Sequence, residues 1–176
     1  MNQSYPSYDD VIHTCREIFE KKTRDYGTAW RILQLPSITD QIMIKAQRIR
    51  TIQQTAQQKI AEGIDVELIG IINYALIALI QLDLSTDAAL EMPYEDVAPL
   101  FEAATQRTKA LKDAKNSDYG EAWREMRLSS LVDIILMKLL RIKRIEDNEG
   151  KTLISEGVAA NYQDIINYAA FALMKL

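Results

Sequence analysis

Two pairs of cations recur at one spacing in this chain: Lys45 with Arg48, and Lys138 with Arg141, each inside a Lys-x-x-Arg-Ile run. On a helix, residues three apart lie side by side, and two adjacent cations call for an anion. Glu62 and Glu156, each 11 residues ahead of an Asn (Asn73 and Asn167), could serve in a structural ion-pair network in each half. The same residue types suit a second use, in which Lys and Arg hold phosphate oxygens while Glu and a nearby Asp hold a divalent cation. That Asp stands in Asp25-Tyr26-Gly27 and again in Asp118-Tyr119-Gly120, followed by Trp30 and Arg31 or by Trp123 and Arg124. One short turn thus offers a carboxylate, two aromatic faces and a cation, although Trp more often serves core packing.

Other polar residues have simpler explanations beside their chemical ones. Ser37-x-x-Asp40 and Ser130-x-x-Asp133 directly precede apolar runs, the pattern of a capping box, which explains both carboxylates without catalysis. Asn73 and Asn167 sit in the most apolar segments, where a side-chain amide must find a partner, either a neighbouring helix or the base or ribose of a ligand. Asp164, three residues before Asn167, has Gly70 as its counterpart. A carboxylate site is therefore expected to be stronger in the second half, unless Asp164 faces solvent or caps its helix near Tyr162. His13 and Cys15 have no copies and no motif partners, so nucleophilic catalysis by either has little basis.

These residues recur because the chain is a tandem duplication. Residues 25–49 match residues 118–142 without a gap at 13 of 25 positions, and IINYALIAL at 71–79 returns as IINYAAFAL at 165–173. Such self-similarity marks a duplicated structural unit. With six Gly, four Pro and no stretch of strand-like alternation, the composition predicts an all-α fold with three helices per repeat. The helices are placed at about Tyr8–Arg24, Ile38–Ile60 and Ile64–Leu84, then Tyr94–Asn116, Leu131–Asp147 and Val158–Leu176. Residues 1–84 form the first repeat, 85–93 the linker and 94–176 the second. The last helix of each repeat is apolar nearly all round, which places it at the centre of a bundle. Three helices would leave such a helix half bare, so the halves are expected to share one core about a pseudo-twofold axis. Residual apolar surface would also favour a homodimer.

Composition sets further bounds. The net charge of −4 is spread evenly, −2 in each half, and no basic face or tail asks for nucleic acid. A single cysteine excludes an intrachain disulfide framework and points to a reducing cytoplasm. The N-terminus lacks the charged and apolar regions of a signal peptide. The longest apolar stretch, Leu68 to Leu82, is broken by Gly70, Asn73 and Gln81, and is shorter than the ~20 residues that a bilayer requires. A buried core helix, with no membrane partner, is the expectation.

Taken together, Asp-Tyr-Gly-x-Ala-Trp, Lys-x-x-Arg-Ile, an acidic residue before the last helix and Asp-x-x-Asn-Tyr-Ala resemble the nucleotide modification associated domain family, a helical group, over nearly all of each repeat. That family in turn resembles the MazG-type all-α nucleoside triphosphate pyrophosphohydrolases, which hold Mg²⁺ with helix-borne carboxylates. Their Glu-Glu-x-x-Glu run has no copy on the second helix of either repeat here. The resemblance implies a nucleotide-binding protein, with Mg²⁺-assisted attack of water on a phosphoryl group as its activity. Glu156 and Asp164 would then be catalytic, and Asp118, Glu156 and Asp164 would hold the metal. Lys45, Arg48, Lys138, Arg141, Tyr119, Trp123, Arg124 and Asn167 would contact the phosphorylated ligand. The alternative is a non-catalytic binding or assembly protein whose carboxylates serve as caps and ion pairs.

Overall fold

The computed structural model describes residues 5–55 and 63–176 and contains, among them, six α-helices and no strand. They are α1 (Tyr8–Tyr26), α2 (Leu35–Thr55), α3 (Ile64–Asp83), α4 (Tyr94–Tyr119), α5 (Leu128–Asp147) and α6 (Val158–Lys175). The expected end of the second helix at Ile60, and Glu62 with it, lie outside the described residues.

Each repeat turns from its first to its second helix in the same way. Gly27 and Gly120 end α1 and α4 with φ of 62° and ψ of −150° and −155°, a region that is essentially glycine-only. A 3-10 turn follows at Ala29–Ile32 and at Ala122–Glu125. In the first repeat that turn also holds the linker. Thr28 donates its hydroxyl to the Leu90 carbonyl and Arg31 donates to those of Ala88 and Ala89. The Arg31 cation is thereby spent on backbone oxygens.

The bundle closes around α3 and α6, which pack on each other while α2 packs on α5. Leu68, Ile71, Ile72, Ala75, Leu76 and Ile80 of α3 and Ile165, Ile166, Ala169 and Ala170 of α6 have no exposed surface, and a single core cluster runs through both repeats. α3 is long and apolar enough to cross a bilayer, but these residues are taken up by other helices. Burying the leucine and isoleucine side chains among them is worth about 1.5–3 kcal/mol each, which accounts for two adjacent helices with so little polar surface.

The pseudo-twofold relation is visible in paired contacts. Arg50 on α2 meets Asp133 on α5 at 2.6 Å, while Lys143 on α5, at the position equivalent to Arg50, meets Asp40 on α2, equivalent to Asp133, at 3.1 Å. Asn73 donates its amide to the Cys15 carbonyl at 3.1 Å, and Asn167 donates to that of Thr108 at 3.2 Å, again at matching positions. A duplicated chain that folds back on its copy must repeat its contacts in this way.

These ion pairs correct the capping assignment. Asp40 and Asp133 reach across to the other repeat, and Ser37 and Ser130 are each the third residue of a helix already begun at Leu35 and Leu128. The helices start early because Leu35-Pro36 and Leu128-Ser129 accept helical geometry; a proline in the first turn forgoes no hydrogen bond. The reciprocal cap is instead at Ser7, whose hydroxyl accepts from the Asp10 amide at 3.1 Å while Asp10 accepts from the Ser7 amide at 2.9 Å. Ser7→Ala is expected to cost about 1 kcal/mol in chemical denaturation, whereas Ser37→Ala and Ser130→Ala stay within about 0.5 kcal/mol of wild type.

Candidate functional site

Three of the four repeated cations, Lys45, Arg48 and Lys138, find an anion on the last helix of the same repeat, on different turns in the two halves. In the first repeat Glu67, buried in the first turn of α3, accepts from Arg48 at 2.7 Å and lies 3.7 Å from Lys45. Asn161 is its counterpart in the second repeat, where the acid has moved one turn along to Asp164, equivalent to Gly70. Asp164 is 4% exposed and binds Lys138 through one oxygen at 2.8 Å and Lys115 through the other at 2.6 Å. Burial works against the Lys115 ammonium, yet hydrogen bonding and attraction to Asp164 hold its pKa above the ordinary lysine value.

This arrangement alters three expectations. Asp164 neither faces solvent nor caps α6, and both of its oxygens are engaged by ammonium groups. Glu156 and Asp118 are exposed, and no group of three or more acidic, histidine or cysteine side chains placed to hold a metal ion exists among the described residues. Asp118, Glu156 and Asp164 therefore do not meet as a Mg²⁺ cage. A carboxylate with an ammonium group at hydrogen-bond distance on each oxygen is a poor fit for a metal ligand, because a divalent cation there would meet two positive charges at close range.

The other expected ligand contacts divide between two places. Lys138, Arg141 and Glu156 line an open cleft of about 620 Å³ formed by the second half of α5, the loop at 151–156 and the start of α6. Arg144 and Asn161 line it too, and neither stands in a motif that recurs between the repeats. Arg141 donates to the Met137 sulfur at 3.8 Å, and neither Arg141 nor Arg144 has a carboxylate partner among the described residues. α6 opens beside this cleft at Gly157 with no side chain capping its first amides, adding the positive end of a helix dipole.

Trp123 and Arg124 lie elsewhere. Trp123 is buried and stacks on Phe171, with ring centroids 4.5 Å apart and planes within 3°. Arg124 covers the Trp123 ring at 4.6 Å and pairs with Glu121. Tyr119 is exposed at the end of α4. None of the three lines the cleft at Lys138. Asn167, also expected at a ligand, is satisfied within the core: its amide donates to Thr108 and its oxygen accepts from the Tyr8 hydroxyl at 2.7 Å. It is a helix-to-helix strut. Lone Cys15 is fully buried, and burial pushes its thiol up to about 12, so it offers no thiolate nucleophile near neutral pH.

The fold and these sites define a tandemly duplicated all-α protein in which each repeat carries one acid held by cations between its second and third helices. The chain belongs to the family described as nucleotide modification associated domain 1, whose model matches residues 22–82 and again 115–176. A search of curated proteins found no match, and a search of solved structures found none. The likeness to the MazG-type pyrophosphohydrolases therefore draws no support from either search.

Proposed function

We propose that the chain binds a phosphorylated small molecule of the nucleotide type in the cleft of the second repeat. The observation that carries this reading is the pair Arg141 and Arg144, one turn apart on α5, lining a cleft of ligand size without carboxylate partners among the described residues. Guanidinium groups in such a setting match phosphate oxygens in pairs. Lys138 contributes charge at the cleft wall while tied to Asp164, and Asn161 and the uncapped start of α6 add polar groups. The family description, which concerns nucleotides, points the same way. Binding without hydrolysis is the form of the proposal, since the carboxylates that would have held Mg²⁺ are committed to ammonium groups or lie apart.

Calorimetric titration with nucleoside triphosphates and with inorganic tripolyphosphate tests it. Arg141→Ala/Arg144→Ala is expected to weaken binding about tenfold or more, with affinity falling as salt is raised. Both side chains are exposed, so stability should change by no more than about 0.5 kcal/mol. Equal affinity in wild type and double variant, or no triphosphate bound by wild type, rejects the cleft as a phosphate site.

A further inference from the structure

A second cavity, of about 750 Å³, lies in the first repeat between α1, the 3-10 turn after it and α3. Its size is that of a small-molecule pocket. The walls are largely apolar and aromatic, with Phe19, Trp30, Leu33, Ile69, Tyr74 and Ile77 among them, and Lys45, Glu67 and Asn73 supply polar groups. Two of these wall residues carry buried polar atoms with no partner among the described residues: the Oδ1 of Asn73 and the Nε1 of Trp30. An amide oxygen needs a donor and an indole N–H needs an acceptor. Groups of this kind left unpaired in a protein interior call for a specific explanation.

The second repeat differs at two positions of this wall. At the position of Gly70 stands Asp164, bridged by Lys115 and Lys138; at the position of Ile77 stands Phe171, stacked on Trp123. Around Trp123 and Phe171 the second repeat keeps a smaller cavity, of about 410 Å³, lined also by Lys112 and Asn116. The Asn73 counterpart, Asn167, receives the Tyr8 hydroxyl on its oxygen, whereas Asn73 spends its amide on Cys15 and keeps an unmet acceptor. The Trp123 indole N–H also lacks a partner, so the asymmetry between repeats lies in Asn73 and in the room around it.

We propose that this cavity is a binding site for an uncharged planar heteroaromatic ring presenting a donor and an acceptor on its edge, which a small shift of the wall brings to Asn73 Oδ1 and Trp30 Nε1–H, both closed off from solvent in this structure. Aromatic walls favour a flat ring by stacking. An uncharged ring fits because Lys45 and Glu67 on the wall already face each other at 3.7 Å, while the third charged wall residue, Lys22, is exposed to solvent. Nucleobases have such edges, which makes nucleosides suitable probes. This site uses none of the residues of the phosphate cleft, and the two readings fail separately.

The test is titration of Trp123→Phe, in which Trp30 is the sole tryptophan, with adenosine, guanosine, cytidine, thymidine and uridine, followed by tryptophan emission. Calorimetry on the unaltered chain replaces emission should that variant fold poorly. At least one nucleoside is expected to bind saturably and to bind about tenfold or more weakly to Asn73→Leu. Val66 lines the cavity and is 44% exposed, so Val66→Phe narrows it from the solvent side without disturbing the core, and the same weakening is expected there. Arg141→Ala should leave nucleoside binding unchanged. The proposal is overturned by the absence of binding for all five nucleosides, by binding that survives Val66→Phe, or by binding that is lost in Arg141→Ala.

Discussion

Asp164→Ala is expected to destabilise the chain by about 3–5 kcal/mol, the range for removing one partner of a buried ion pair. Asp164 is nearly inaccessible and Lys138 has a side chain only 14% exposed, while Lys115 is about half exposed at 48%. Without the carboxylate, Lys115 can swing into water, so most of the cost falls on Lys138, left beside α6 with no counter-charge. Urea unfolding measures the loss. Asp164→Leu combined with Lys138→Met should recover much of it, because apolar residues of similar volume often replace a buried pair at little cost. The metal-ligand reading of Asp164 predicts the opposite pattern: Asp164→Asn would leave stability nearly unchanged and abolish a Mg²⁺ titration signal. A loss below about 0.5 kcal/mol for Asp164→Ala, the range of ordinary surface substitutions, would defeat the ion-bridge account.

The duplication itself explains how much of this could be read from the sequence. Repetition exposed the helices, the central position of α3 and α6, and the cations at Lys45, Arg48, Lys138 and Arg141, because those features are the same in both copies. The anions were hidden by the same logic. Glu67 has Asn161 as its counterpart and Asp164 has Gly70, so neither acid recurs, and Glu156 attracted the role only because it repeats Glu62. The structure puts Glu156 at the exposed edge of a cleft and gives the pairing to Asp164. Ser37 and Ser130 misled in a related way: the capping pattern is genuine as a pattern, but the residues ahead of it are already helical, and Asp40 and Asp133 find cations across the pseudo-twofold axis. A motif read within one repeat cannot show that its partner lies in the other. Arg144 and Asn161 carried no signal at all, since only the loop at 151–156 folding beside α5 makes them line a cavity.

Moving the first-repeat acid to its second-repeat position should reveal strong coupling between positions 67 and 70. Glu67→Asn alone leaves Lys45, with a side chain 27% exposed, beside an amide that cannot balance it, and is expected to cost about 3 kcal/mol. Adding Gly70→Asp places a carboxylate where Asp164 stands against Lys138. A Cβ at Gly70 would come within 3.0 Å of the aliphatic stem of Lys45, but that stem is flexible and the new charge gives it a reason to turn. The double variant should therefore regain most of the lost stability, within about 1 kcal/mol of wild type, a deviation from additivity of the size seen for residues in one ion network. The same Gly70→Asp change introduces a side chain on the wall of the first-repeat cavity, so nucleoside binding should fall as stability returns. Denaturation of the two single variants and the double variant, read beside nucleoside titration, separates these effects. Strictly additive losses would show that Lys45 and Lys138 do not occupy equivalent positions, and the account of how the two repeats place their acids on different turns would fail.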